Sequence, residues 1–591
     1  MVAAGTTTDA KVRKSNYDKF PFVAAPGKAP VWKDWSAICR TLAECLHGRQ
    51  PPVLVVDTYP GVNDAELLGA LELRLKPAET IRTIDLKKSE PELMKLINRN
   101  LTDDRIFGVL SRHRLEEFFD PARLATARAQ AQRAGNGPVL IYGVGAEQVV
   151  RAGILVYADL ARWEIQLRYR NGLGNWGADN GGEDFFRKYK RGFFVEWRAA
   201  DRHKFDLFDR VDFFLDTNKS GEPKMVEGDA VRKALSHAVT RPFRVVPFFD
   251  PAPWGGQWMK EVCDLPRETK NYGWCFDCVL EENSLLLGFG NERIEMPSLN
   301  LVYREPVALL GDKVHARFGR EFPIRFDFLD TMGGGNLSFQ VHPLTEYIQQ
   351  HFGMHYTQDE SYYLLDAGRD ASVYLGLREK IEPQAMVRDL ETAQTGGAPF
   401  PAEKYVNRWP AKKHDHFLIP AGTPHCSGAN AMVLEISATP YIFTFKMWDW
   451  GRLGLDGKPR PVHLNHGIPN IRWDRTTGWV KKNLINRVKP LAKGDGWREE
   501  RTGLQEREFI ETRRHWFTKA VPHDTGDGVN VLNLIEGEEA IVVSPDGKFK
   551  PFVIHYAETF IVPAAVGRYT ICPHGAAVGR ECATIKAFVR T

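Results

Sequence analysis

The sequence predicts a multidomain protein in which a mainly parallel α/β domain is followed by two all-β domains of the sandwich or barrel kind. Three observations carry this reading. A chain of 591 residues is too long for one hydrophobic core. Between residues 51 and 240, short apolar runs alternate with helical stretches, the pattern of βαβ units. From Pro242 onward, short alternating strands recur between Gly, Pro and Asn turns and long helices are few. The expected organisation is an N-terminal arm (1–50), an α/β domain (51–240), a first β domain (241–473), a connector (474–508) and a second β domain (509–591).

In the arm, a mostly polar stretch leads into a short helix around Trp35–Leu46. Val53-Leu54-Val55-Val56-Asp57 is a continuous apolar run ending at the Tyr59-Pro60-Gly61 turn, as in a strand buried on both faces. Ala65–Leu75 has helical periodicity. Arg105–Leu110, Pro138–Gly143 and Gly153–Asp159 repeat the strand pattern, with an Ala- and Arg-rich helix predicted over Pro121–Ala134. The charged, Trp-containing stretch from Asp474 to Glu508 reads as a connector. Beyond it, Asn530–Ile535, Glu539–Val543 and Thr559–Val562 are strands. Phe417-Leu418-Ile419-Pro420-Ala421 is echoed by Phe560-Ile561-Val562-Pro563-Ala564, so the two β domains are expected to be related barrels.

The composition excludes several classes. The 79 basic and 75 acidic residues are interleaved, which argues against a nucleic-acid binder. Arg187-Lys188-Tyr189-Lys190-Arg191 is short and reads as a solvated face. No run of about 18 apolar residues suggests a membrane span, and Met1–Lys19 lacks the apolar core of a secretory signal. Eight cysteines in such a chain do not make a disulfide scaffold. Cys275 and Cys278 have no second pair to complete a zinc knuckle, so they read as ordinary strand thiols. The expected setting is cytoplasmic. The expected partner is a small substrate, with neither nucleic acid nor membrane, and a homo-oligomer is left open.

Three motifs carry chemistry. In Asn336-Leu337-Ser338-Phe339-Gln340-Val341-His342-Pro343, strand alternation puts Gln340 and His342 on one face. Glu360 stands at the mouth of the strand Ser361–Leu365. A Pro420-Ala421-Gly422 turn delivers His425 to the start of another strand. Together they offer two imidazoles, a carboxylate and an amide oxygen, suitable ligands for zinc or a similar divalent ion with room for water or substrate.

These motifs resemble the class I mannose-6-phosphate isomerases, and the resemblance implies that both β domains are cupin-type β-barrels (jelly rolls). Leu337, Ser338, Gln340, His342 and Pro343 match the family's Leu-Ser-x-Gln-x-His-Pro. Glu360 and Tyr362–Leu365 match its Glu-plus-strand motif, and Ile419–His425 its Ile-Pro-Ala-Gly-Thr-x-His. Trp254-Gly255-Gly256, Gly311, Phe322-Pro323, Leu434-Glu435-Ile436 and Trp448–Arg452 resemble further family segments in order, over most of residues 250–470. The resemblance implies a Zn2+ site of Gln340, His342, Glu360 and His425, one ion per chain. It also implies interconversion of mannose 6-phosphate and fructose 6-phosphate through a cis-enediol. Glu435 matches a family acid near the site, with a buried structural carboxylate as its other reading. Ser338 would bind phosphate, and Trp254 would wall the pocket. Arg452 and Lys446 would be partners of the phosphate or enediolate, with a surface ion pair as the other reading of Arg452.

Three cationic family positions differ: Gln358 and Asp327 stand where the family has lysines, and Lys446 where it has an arginine. A phosphate dianion needs fixed positive charge, and Arg325, Lys412, Lys413 and Lys446 are the candidates to supply it. The change also motivates a second reading, a non-catalytic metal-containing cupin that binds a sugar and has a regulatory or sensing role. A third, an iron oxygenase, is disfavoured by the amide ligand. In the last β domain His555, Glu558 and His574 lack ligand spacing and read as structural. Val53–Asn63 resembles the strand–loop–helix of uridine-kinase-like P-loop proteins. It lacks the Gly-Lys-Ser/Thr that a working loop needs, so the α/β domain is expected to be a degenerate one.

Overall fold

The computed structural model describes residues 15–133, 137–438, 442–454, 457, 460–503 and 508–591. It combines an α/β region with a β-rich remainder. Seven strands form the first sheet: β1 (Val31–Lys33), β2 (Val53–Thr58), β3 (Glu79–Arg82), β4 (Val139–Gly143), β5 (Ile154–Asp159), β6 (Phe213–Asp216) and β7 (Lys224–Glu227). Their order is β1-β7-β6-β5-β2-β4-β3. The five strands from β6 to β3 are parallel, and β7 and β1 add an antiparallel edge. Every residue of β2, β4 and β5 is buried, which explains their unbroken apolar runs.

Two expectations for this region change. Val31–Lys33, placed in the arm, is an edge strand of the sheet, and Phe22–Ala24 pairs in parallel with Ser284–Phe289. Of Met1–Lys19, residues 1–14 lie outside the described residues. Arg105–Leu110, expected as a strand, joins no sheet. Its apolar character serves packing between regions instead: Phe107 is buried against Phe352, Phe445 and His463, at ring-centroid distances of 5.8, 5.2 and 4.8 Å.

In open parallel sheets, ligands enter at the carboxyl ends of the strands. Here those ends are filled by the helix Trp197–Leu207. His203 Nε2 lies 2.8 Å from Asp57 Oδ2, and Lys204 Nζ donates to Asp159 at 2.9 Å. Arg168 closes the loop after β2 by donating to the Gly61 and Thr217 carbonyls at 2.9 and 2.7 Å.

The central region is built from two antiparallel sheets. The first contains β8 (Phe248–Asp250), β9 (Trp274–Cys278), β10 (Ile324–Asp330), β12 (Glu360–Ala367), β15 (His416–Ile419) and β17 (Ala431–Ala438), in the order β15-β12-β17-β10-β9-β8. The second contains β11 (Phe339–Val341), β13 (Ser372–Leu377), β14 (Val406–Pro410), β16 (His425–Ser427) and β18 (Phe445–Trp448), in the order β14-β13-β16-β11-β18. Contact between Glu360 on β12 and His425 on β16 shows that the sheets face each other. Cys275 and Cys278 are buried free thiols on β9.

The C-terminal region has a six-stranded and a four-stranded antiparallel sheet. Its larger sheet begins inside the stretch read as a connector, with Lys489–Gly494 and Trp497–Gly503. The second of these is tied to Ile510–Phe517 by the strand ladder and by cross-strand ion pairs, Arg513–Glu499 at 3.1 Å and Arg514–Glu500 at 2.8 Å. One buried apolar cluster runs from Tyr17 to Val589 and takes in side chains of all three regions. Among the described residues, no helix is long and apolar enough to cross a membrane.

Candidate metal centre and adjoining cavity

The register of the two central sheets builds the site row by row. Across β12, β17 and β10, Glu360 pairs with Ser437 and Ser437 with Arg325. Two residues along, Tyr362 pairs with Glu435 and Glu435 with Asp327. Alternation turns both rows toward the facing sheet. That sheet answers with a third row, in which Gln340 is the partner of both His425 and Lys446.

Glu360, His342 and His425 meet where the rows meet, with one ligand atom from each within 4.8 Å of the others. His342 Nε2 lies 3.2 Å from Glu360 Oε2, and His425 Nε2 lies 2.7 Å from Glu360 Oε1. Gln340 completes the set with its amide nitrogen 3.3 Å from His425 Nε2. A half-turn of that amide would present its oxygen instead. His425 Nδ1 lies 2.8 Å from the Thr423 carbonyl and donates to it, leaving Nε2 as the lone-pair donor toward the centre. Burial alone would raise the Glu360 carboxyl, yet the two imidazoles hold it well below the usual carboxylate range.

The donor chemistry fits a divalent ion. His342 is 1% exposed and its Nδ1 has no hydrogen-bond partner, while its Nε2 and that of His425 both face the Glu360 carboxylate. Such an unpartnered buried group is costly unless something else engages it. Two nitrogens, a carboxylate and an amide oxygen suit zinc or a similar ion. No other group of His, Cys, Asp and Glu among the described residues has comparable geometry. In the C-terminal region, His555 and Arg244 engage Glu558 at 3.1 and 2.7 Å, and His574 engages Glu539 at 3.1 Å.

Gly422 makes this convergence possible. It adopts φ +84°, and a Cβ there would fall 2.7 Å from Arg472 Cγ and 2.9 Å from the Asn470 carbonyl. Its N–H donates to the carbonyl of His342 at 3.0 Å, and the Ala421 N–H donates to Asp359 at 2.7 Å. The turn is thereby tied to the segments carrying two of the other ligands.

A cavity of about 350 Å³ adjoins the centre, and Gln340, Ser338, Trp254, Glu435 and Lys446 line it. So do Gln358 and Asp327, the two departures from the lysines of the resembling family. Gln358 Nε2 bridges Glu360 and Glu435 at 3.0 and 3.1 Å. Asp327 pairs with Arg325, whose guanidinium also donates to Ser437 at 3.2 Å and lies 3.6 Å from Glu435. Positive charge therefore remains in the cavity at Arg325, while Lys413 is committed to Glu536 at 2.6 Å. Burial and the neighbouring Glu360 push the Glu435 carboxyl well above its usual range. Burial, opposed by Arg325, carries Asp327 up to about 7. Burial together with the nearby arginines lowers the Lys446 ammonium to about 7.

Arg452 does not line the cavity; its guanidinium donates to Asp449 Oδ1 at 2.5 Å. Arg460, which sequence reasoning missed, does line it. It pairs with Asp449 at 2.9 Å and reaches Ser338 Oγ at 3.4 Å. No local motif marks Arg460. Also missed were Gln166, Arg170, Phe185 and Phe186 of the α/β region, which complete the cavity wall.

Residues 34–240 match a family described as a domain of unknown function, DUF8485. The mannose-6-phosphate isomerase ManA of Bacillus subtilis (strain 168) is 24% identical over 238 residues, covering 39% of this chain and 68% of that protein. The mannose-6-phosphate isomerase of Streptococcus mutans is 25% identical over 217 residues, covering 36% of this chain and 63% of that protein. Among solved structures, the mannose 6-phosphate isomerase from Bacillus subtilis is 18% identical and aligns with 58% of this chain and 99% of its own, at a TM-score of 0.47. A mannose 6-phosphate isomerase bound with zinc and yttrium aligns at 13% identity with 59% of this chain and 99% of its own, at a TM-score of 0.44. The chain is thus distantly similar to mannose-6-phosphate isomerases over about 40% of its length, with a separate family match in its α/β region.

Proposed function

We propose that the central region is a cupin-type β-barrel that acts as a zinc-dependent aldose–ketose isomerase, interconverting mannose 6-phosphate and fructose 6-phosphate. The observation that carries the proposal is the buried cluster of His342, Glu360 and His425, whose Gln340 and Gln358 neighbours line a cavity with both carboxyl and cationic groups. The distant similarity to mannose-6-phosphate isomerases supports the choice of substrate.

Gln340, His342, Glu360 and His425 would hold the ion. Once bound, it would supply Lewis acidity toward the sugar oxygens on C1 and C2. Glu435, whose protonated form is favoured by burial and by Glu360, is placed to protonate the sugar carbonyl oxygen as the cis-enediol forms and to take that proton back as it collapses, while a second, ionised carboxylate of the cavity would take the C–H proton. Asp327 Oδ1 and Gln358 Oε1 are buried without hydrogen-bond partners and are suited to sugar hydroxyls. Lys446, Arg460 and Ser338 form the phosphate end of the cavity in this reading, with Arg325 balancing the carboxylates. The α/β domain reads as a degenerate P-loop relative whose strand ends are filled by Lys204 and His203.

The test is turnover of mannose 6-phosphate by the zinc-loaded protein, followed by coupled detection of fructose 6-phosphate. Turnover that disappears on chelation and returns with zinc supports the proposal. A zinc-loaded protein inert toward both sugar phosphates would overturn it.

A further inference from the structure

The cavity beside the metal centre is not enclosed by the β region alone. Its outer wall comes from the α/β domain: Phe185 and Phe186 at the start of the helix Phe185–Arg191, with Gln166 and Arg170 on the helix Arg162–Arg170. Phe185 and Phe186 pack edge to face at 5.5 Å, and Trp274 and Phe276 of β9 lie 4.6 Å apart, centroid to centroid. Both aromatic pairs line the same cavity as Gln340, Glu435 and Lys446. One chamber therefore has a polar, charged side and an aromatic side, and the aromatic side is shared between two domains.

The wall is fixed in place. Arg170 holds Asp250 through two parallel hydrogen bonds, 3.2 and 2.9 Å, and its guanidinium lies 5.2 Å from the Phe185 ring centroid. Gln166 donates to Glu282 at 2.6 Å. Arg105 pairs with Asp184 at 2.5 Å and lies 5.0 Å from the Phe186 centroid. Phe107 packs on His463, which is hydrogen-bonded to the backbone of Lys446 at 2.7 and 3.2 Å. Shared apolar packing and charged pairs seat the domain against the cavity.

From this juxtaposition we infer that the α/β domain is the second half of the substrate site. Phe185 and Phe186 receive the C–H face of the sugar carbon skeleton, while the metal centre takes its C1–C2 end and Lys446 with Arg460 its phosphate. The inference rests on the isomerase reading for the identity of the ligand, not for the placement of the wall. A pocket with an apolar wall and a few convergent polar groups is the usual design for orienting a small polar ligand. The aromatic pair acts as a binding and specificity element, distinct from the groups that move protons.

The experiment compares Phe186→Leu and Phe186→Tyr with the parent protein, using mannose 6-phosphate for kinetics and for titration calorimetry. Phe186→Leu keeps bulk but loses the ring, and should raise KM and Kd about tenfold with kcat nearly unchanged. Phe186→Tyr should restore both, and zinc content and unfolding midpoint should match the parent in each variant. An unchanged Kd in Phe186→Leu, or an equal defect in Phe186→Tyr, would overturn the inference. Absence of mannose 6-phosphate binding by the parent protein would overturn it as well. If the parent binds the sugar phosphate without turning it over and Phe186→Leu weakens that binding, the wall stands and the isomerase reading falls. Turnover with a KM indifferent to Phe186 is the reverse result.

Discussion

Replacing Lys446 by methionine keeps the length of the side chain and removes its charge, which isolates the cation at the phosphate end of the cavity. Burial and the nearby arginines lower the ammonium from its ordinary 10.5 to about 7, so it is charged below that pH and neutral above it. Carried in full, that gap corresponds to about 5 kcal/mol for holding the charge in the folded protein. Lys446 is only half-buried and faces the cavity, so screening brings the figure nearer about 2 kcal/mol. The unfolded chain stays protonated up to about pH 10.5, so the parent protein gains stability between pH 7 and pH 10.5. Lys446→Met should lack that gain. It should be more stable than the parent by about 2 kcal/mol at pH 6, with the advantage fading toward pH 10.

Binding should move the other way. A charge-assisted hydrogen bond to phosphate contributes about 1.5–3 kcal/mol, so the variant should lose about 10- to 150-fold in kcat/KM at pH 6.5. At pH 8.5 the parent carries less charge on Lys446 than at pH 6.5, so the gap should shrink. Values of kcat should depend little on pH in this range, because the bound dianion keeps the ammonium charged. The assay is steady-state turnover of mannose 6-phosphate at the two pH values, beside urea unfolding. A kcat/KM within twofold of the parent at pH 6.5, or an equal loss at both pH values, would refute the placement of the phosphate.

Three further outcomes follow. His342→Ala removes a ligand from a three-residue core, and metal analysis after dialysis should fall from about one zinc per chain to well below 0.1. Glu558→Ala removes the nearest carboxylate from Arg244, whose side chain is 2% exposed and keeps Asp277 at 3.8 Å and the Thr559 and Asp18 carbonyls at 3.1 and 2.8 Å; urea unfolding should show a loss of about 1.5–3 kcal/mol. Gly311→Ala places a methyl group 1.8 Å from the Asp527 carbonyl at a residue with φ +85°, so calorimetry should show a lower unfolding midpoint, corresponding to at least about 2 kcal/mol.

The proposed ligand residues stand out in the sequence because each sits in a short motif whose own geometry aims it: Gln340 and His342 by alternation, Glu360 at a strand mouth, His425 after a turn that needs Gly422. The strands of the parallel sheet were legible because burial on both faces leaves a continuous apolar run. What surrounds the ligands was not. The row Glu360–Ser437–Arg325 joins residues brought together by strand register, and only that register shows the charge lost at Gln358 and Asp327 offset by Arg325. Arg460 and Phe186 carry no local signature, since their positions come from packing between regions. Arg105–Leu110 looked like a strand because apolar residues bound for an interface have the same composition as those bound for a sheet. Trp497–Gly503 was missed for the opposite reason: its side chains form ion pairs across the ladder, so the apolar alternation that marks a strand is absent.

The central claim is that a zinc-centred cavity moves a proton between adjacent carbons of a hexose phosphate. Its most direct test is to incubate the zinc-loaded protein with fructose 6-phosphate in D2O through many turnovers and read the hydrogens on C1 by NMR. The account predicts that one C1 hydrogen is replaced by deuterium while mannose 6-phosphate accumulates, and that neither change occurs with His342→Ala. Full retention of both C1 hydrogens with no mannose 6-phosphate formed, by a protein that holds its zinc, would contradict it.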